Sequence, residues 1–176
     1  MLLFLDFVGQ KKSSNSVVDE RSGIMGRQKE TMNDKIQIFT DGGSRGNPGN
    51  AAIGVYIIDS KEKELYSLGE PIGIATNNVA EYRAVIAAFK WLTQQSSVVT
   101  GVNFFLDSEL VCRQLTGVYK VKNEDLRGLL YSVHEMKRKL SFPITFLHIP
   151  REKNKKADLL VNMALDKNSV VSYNKS

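Results

Sequence analysis

Cysteine, histidine and proline are all scarce in this chain of 176 residues, which has one, two and four of them respectively. A single cysteine, Cys112, closes no disulfide within the chain and builds no thiolate metal cluster, so disulfide scaffolds and zinc ribbons are excluded. A reducing cytoplasm is therefore the expected compartment. The two histidines, His134 and His148, stand apart, and the run from His134 to Lys137 lacks the second histidine of a zinc-binding helix. No phosphate-loop lysine follows a glycine cluster. The one apolar run at the start, MLLFLDFV, is interrupted by Asp6 and lacks the basic leader and the length of a signal or membrane span. Neither secretion nor membrane insertion is expected.

What remains is a globular composition, with 42% hydrophobic and 24% charged residues, and a length that suits one domain with one core. The net charge of +5 is unevenly placed. Residues 1–34 carry five basic and five acidic side chains, whereas Lys120 to Lys156 holds ten Lys or Arg against four acids. A localised positive excess fits a polyanionic partner, although solvated helix faces gather charge with no partner at all.

Residues 1–34 read as a flexible leader or as an overlong start, since Met25 and Met32 lie within them and the second stands just before the first strand. The folded domain is expected over 35–168, with a short tail over 169–176. IQIFTD alternates as a strand should, GGSRGNPGN supplies turn formers, and AIGVYIID returns as a second strand. A third strand is expected over 64–74. Asn77 or Asn78 can cap a helix whose apolar positions Val79, Tyr82, Ile86 and Phe89 recur every three or four residues. A strand over 102–107, a helix from Ser108 to about Leu115, a basic connection GVYKVKN and a helix over about 124–140 follow. ITFLHI and a closing helix over KKADLLVNMALDK complete the order βββαβααβα. Hairpin strands first and strand-helix alternation later describe an α/β protein with a mixed sheet flanked by helices.

Asp41 and Asp107 each end an apolar strand, the place where open α/β sheets gather ligands. If those strands are neighbours, Glu81 on the first long helix and Asp158 on the last can reach them. Four packed carboxylates repel one another unless cations neutralise them, and hard oxygen ligands favour magnesium or manganese over zinc. Paired ions about 3.5 to 4 Å apart activate water on one side and stabilise a leaving oxygen on the other. Each acid also has a plainer role open to it, in a turn, a cap or a solvated face.

TDGGSRGNPG, TNNVAEYRA, DSELVCRQL and REKNKKADLLV, in this order, resemble the four signature segments of type 1 ribonuclease H, and the likeness covers residues 35 to 167. The resemblance implies a five-stranded mixed sheet of order 3-2-1-4-5 with strand 2 antiparallel. It implies an endonuclease that cuts the RNA strand of an RNA/DNA hybrid and leaves 5′-phosphate and 3′-hydroxyl ends. Alternatives are a nuclease of the same fold acting also on double-stranded RNA or on DNA, and a non-catalytic nucleic-acid-binding module. Asp41, Glu81, Asp107 and Asp158 would be the metal ligands, holding two Mg²⁺ for which Mn²⁺ can substitute. Gly42, Gly43, Ser44, Asn47, Thr76, Asn77 and Asn78 would meet the hybrid across its minor groove, where the 2′-hydroxyl marks the RNA strand.

The chain departs from the pattern in three places. Glu109 stands where well-studied relatives often have glutamine. The basic helical protrusion of some members is missing, so Lys120 and Lys122 would hold backbone phosphates in its stead. No clear equivalent of a loop histidine precedes Asp158, and Arg151 is better placed than His148 to meet a phosphate. A weak grip on substrate is expected, by a monomer with no obligate protein partner.

Overall fold

A computed structural model describes residues 35–95 and 99–173, with side-chain surroundings through Lys167; the leader over 1–34 lies outside the described residues. The elements are β1 (Lys35–Gly46), β2 (Gly49–Ile58), β3 (Glu64–Ala75), α1 (Asn77–Thr93), β4 (Gly101–Leu106), α2 (Glu109–Leu115), α3 (Glu124–Arg138), β5 (Ile144–His148) and α4 (Lys155–Tyr173). A 3₁₀ turn over Arg151–Lys153 leads into α4. The five strands form one sheet in the order β3-β2-β1-β4-β5. Pairing is antiparallel for β1 with β2 and β2 with β3, and parallel for β1 with β4 and β4 with β5. Strand 2 is therefore the antiparallel member, as the resemblance implies.

Strand alternation sends successive side chains to opposite faces. Ile36, Ile38, Val55, Ile57, Phe104 and Leu106 point to one face, where they bury Tyr82, Val85, Phe89 and Leu92 of α1 together with Val111 and Val133. The other face is lined at Ala52 by Val161, Ala164 and Leu165 of α4. Glycine lets that helix lie close, since a Cβ on Gly54 would stand 2.2 Å from the Ala157 carbonyl oxygen. No helix among the described residues is long and apolar enough to cross a membrane.

Three local features differ from the sequence expectation. The glycine-rich segment after Asp41 does not turn at once. It continues β1 and pairs as far as Gly46 with Gly49, because small residues on both sides allow the ladder to run on. The turn falls at Asn47 and Pro48, with Gly46 at φ 104°, a left-handed conformation that favours glycine. Helix α1 is capped by Thr76 rather than by either asparagine, its Oγ1 accepting from the Val79 N–H at 3.3 Å. Helix α4 runs on through Tyr173, so part of the segment read as a tail is helical.

Two glycines give opposite expectations. Gly54→Ala should destabilise the fold by about 1 to 3 kcal/mol, through overpacking against α4. Gly128→Ala, in α3 with nothing within 4 Å of its added Cβ, should stabilise it by about 0.5 to 1 kcal/mol. Chemical denaturation of both variants checks the pair, and the same sign for both would contradict it.

Candidate metal centre

The parallel ladder of β1 with β4 ends at Thr40 opposite Leu106, so the next residues stand side by side where it stops: Asp41, still within β1 and paired with Gly54, and Asp107, just past the end of β4. Glu81 approaches from the first turns of α1. Its closeness depends on Gly42, whose added Cβ would lie 2.2 Å from both the Ala80 carbonyl carbon and the Glu81 nitrogen. Only a residue without a side chain lets β1 touch the helix backbone there. One carboxylate oxygen from each of Asp41, Glu81 and Asp107 lies within 4.8 Å of the others.

These acids are poorly solvated. Asp41 is 6% exposed and Glu81 8%. Burial, then repulsion from Asp107 and Asp158, pushes the Asp41 carboxyl up to about 6, while Arg151 and the Gly42 N–H act the other way. Burial first, then Asp41 and Asp107, holds the Glu81 carboxyl well above the usual carboxylate range. The buried Glu81 Oε2 has no hydrogen-bond partner among the described residues. Three hard oxygen donors at short range, one of them orphaned, fit a divalent cation such as Mg²⁺ or Mn²⁺ and do not suit a soft metal.

Asp158 lines the same cavity but stands outside this trio. Its carboxylate accepts from the Arg151 guanidinium at 2.7 Å and from Asn162 Nδ2 at 3.1 Å. Of the four acids expected from the sequence, three thus converge and the fourth waits at the rim in an ion pair.

The rest of the rim is the β1–β2 hairpin and the start of α1. Asn77 Oδ1 accepts from both the N–H and the hydroxyl of Ser44 at 2.8 Å, and Asn47 Oδ1 accepts from the Asn77 N–H at 3.2 Å. The two asparagines brace the hairpin against α1 and still leave the Asn77 NH₂ without a protein partner among the described residues. Gly43 lines the cavity beside Ser44, Thr76 caps α1, and Asn78 is half-buried in its first turn. Lys120 and Lys122 are exposed on the loop between α2 and α3 and do not line the cavity.

Glu109 is tied to Arg113 at 2.8 Å in an ion pair and does not line this cavity. His148 is exposed at the end of β5 and His134 on α3, and neither lines this cavity. Trp91 stacks on Tyr66 with centroids 5.8 Å apart, a packing role. Two cavity-lining residues were not singled out from the sequence, Arg45, which pairs with Asp166, and Asn162, nor was the buried Asn154, whose NH₂ reaches Asp107. An asparagine immediately ahead of the helical run KKADLL is the signal that marks Asn154.

Comparison with known proteins agrees with this geometry. A family described as reverse transcriptase-like matches residues 39–164. Ribonuclease HI of Halobacterium salinarum is 38% identical over 133 residues, 75% of this chain and 65% of that protein. A bifunctional protein of Mycobacterium tuberculosis is 37% identical over 133 residues, 36% of its own length. The chain thus spans just under two thirds of the first relative and about a third of the second. Among solved structures, LC11-RNase H1, isolated from compost by a metagenomic approach, superposes with a TM-score of 0.72 at 48% identity, covering 76% of this chain and 97% of that one. The same protein has been solved in complex with an RNA/DNA hybrid.

The raised acids have a consequence for stability. The folded chain keeps the Asp41 proton up to about pH 6, whereas an unfolded carboxyl releases it near 3.8. The contribution of Asp41 to metal-free stability is therefore greatest below that window and falls as pH rises through it. Asp41→Asn should stabilise the metal-free protein at neutral pH by about 1 to 3 kcal/mol, and by much less in acid below the window. Thermal denaturation in chelator measures this; a variant less stable than wild type at neutral pH would contradict it.

Proposed function

The chain belongs to the type 1 ribonuclease H family, and from that premise we propose that it is an endoribonuclease hydrolysing the RNA strand of RNA/DNA hybrids. We propose further that it uses two Mg²⁺ ions, with Mn²⁺ able to replace them, and leaves 5′-phosphate and 3′-hydroxyl ends. The observation that carries this reading is the trio of buried Asp41 and Glu81 with half-buried Asp107, three carboxylates whose mutual repulsion a cation relieves without protonating them. The hybrid as substrate is supported by the relative solved in complex with one.

The trio would hold the metal, with Asp158 joining once it lets go of Arg151. Bound divalent ions supply an activated water and stabilise the charge that develops on the leaving oxygen. The chain's own groups do the rest. Asp41 and Glu81 must be ionised to serve as ligands, so activity rises with pH through the range in which they lose their protons. The segment Gly42, Gly43 and Ser44, whose Ser44 N–H is held by Asn77 Oδ1 in the unliganded chain, and the spare NH₂ of Asn77, with Asn47, Thr76 and Asn78, would meet riboses across a minor groove. Arg151, exposed and planar, can leave Asp158 for a backbone phosphate in a paired contact. Lys120 and Lys122 would hold phosphates further along. The buried free thiol of Cys112 accords with a reducing compartment, here taken as the cytoplasm, and with action as a monomer.

Labelled RNA annealed to DNA, double-stranded RNA and double-stranded DNA form the decisive panel. Magnesium-dependent cutting of the hybrid, abolished by Asp41→Asn, is the expected result. An intact hybrid with wild-type protein refutes the reading, and equal cutting of all three duplexes refutes the specificity. Replacing Lys120 and Lys122 together by Ala should raise KM with kcat unchanged and flatten the salt dependence of binding by about one unit per lysine.

A further inference from the structure

Asn154 sits between the 3₁₀ turn and α4, and it is 1% exposed. Its Nδ2 donates to the Thr40 carbonyl at 2.9 Å and to Asp107 Oδ1 at 3.0 Å. Thr40 immediately precedes Asp41, so this NH₂ joins the two acid-bearing strands at the point where the ladder between them stops. The Asn154 carbonyl accepts from the Asp158 N–H at 3.1 Å, which ties the first turn of α4 to the same residue. Three of the four acids are thus referenced to one buried side chain and its backbone.

The direction of the amide is dictated by chemistry. Both neighbours are acceptors, and turning the group over would set its oxygen against a carbonyl and a carboxylate. At the other end, Asn154 Oδ1 is buried without a hydrogen-bond partner among the described residues. A buried acceptor left without a donor weakens a fold. The stability of the fold alone does not account for the residue, whereas its effect on Asp107 does.

We propose that Asn154 is a positioning residue of the metal centre: by clamping Asp107 Oδ1 to the β1 backbone beside Asp41, it fixes the carboxylate spacing and leaves Asp107 Oδ2 turned to a divalent cation. Groups that orient a ligand carboxylate in this way tune metal affinity without touching the metal. The inference rests on the metal-dependent reading above.

Asn154→Leu keeps the volume and removes the NH₂, Asn154→Ala removes both, and Val133→Ala, fully buried on the opposite face, serves as the stability control. Mg²⁺ affinity is measured by calorimetry on the full chain, and kcat and KM on the hybrid, at a temperature where each variant is folded by circular dichroism. Both Asn154 variants should bind Mg²⁺ about tenfold or more weakly and lose kcat to a similar degree, with KM for the hybrid unchanged. Val133→Ala should lower the melting temperature alone. Wild-type Mg²⁺ affinity and kcat in Asn154→Leu would overturn the proposal, as would failure of both variants to fold at any temperature. Wild-type protein that binds Mg²⁺ but spares the hybrid would refute the activity and not this inference, which the affinities test by themselves.

Discussion

Mutual repulsion among Asp41, Glu81 and Asp107, held within 4.8 Å of one another and largely out of water, is the constraint around which this fold is arranged. Nothing in a carboxylate trio favours its own assembly, so the surroundings must impose it. The parallel ladder of β1 and β4 brings two of the acids to one sheet edge. The missing side chain at Gly42 draws α1 and Glu81 against them. The core that holds Tyr82 and Phe89 of α1 against Phe104 of β4 then keeps the elements carrying these acids rigid, because a packed core cannot relax to let the charges apart. On the proposed reading a bound cation would relieve this repulsion at a site preorganised at the expense of metal-free stability, with only Asp158 left to exchange Arg151 for the metal.

The rim follows a different logic. Asn77 and Asn47 bond the hairpin to the start of α1, so the surface that would read the ribose is built from backbone and short amides rather than from long mobile side chains. Opposite, Arg151 occupies Asp158, a cation already present where the chain has a spare anion. That pair softens the negative field and gives Arg151 two partners of the same chemistry to choose between, a carboxylate of its own chain and a phosphate. Glu109 is quenched by Arg113 in a similar manner and adds no ligand.

Much of this was legible in the residues before any coordinates. Strand alternation in IQIFTD and VNFFLD puts Asp107 just past a strand end, whereas Asp41, read as a strand end too, lies within β1, which runs on to Gly46; the element order βββαβααβα leads to a mixed sheet. The segments around the acids resemble one family closely enough to give the strand order. Other features depend on three-dimensional neighbours and leave no periodic trace. The run GGSRGNPG carries turn residues, yet most of it is strand because Ala51 and Ala52 across the ladder are small enough to pair with it. Thr76 caps α1 because Asn77 is taken by Ser44, a contact 33 residues away in sequence. Asn154 reaches Thr40 over 114 positions. Asp158 looks equivalent to the other acids in the sequence, and its bonds to Arg151 and Asn162 set it apart from them.

The central claim is that the trio exists to hold a divalent ion, and a titration of thermal stability with Mg²⁺ at neutral pH tests it most directly. A ligand that binds only the folded state raises stability in proportion to the logarithm of its concentration once past its Kd. The account predicts a melting temperature that climbs with Mg²⁺ for wild-type protein and stays flat for Glu81→Gln. A wild-type melting temperature indifferent to Mg²⁺ would contradict it.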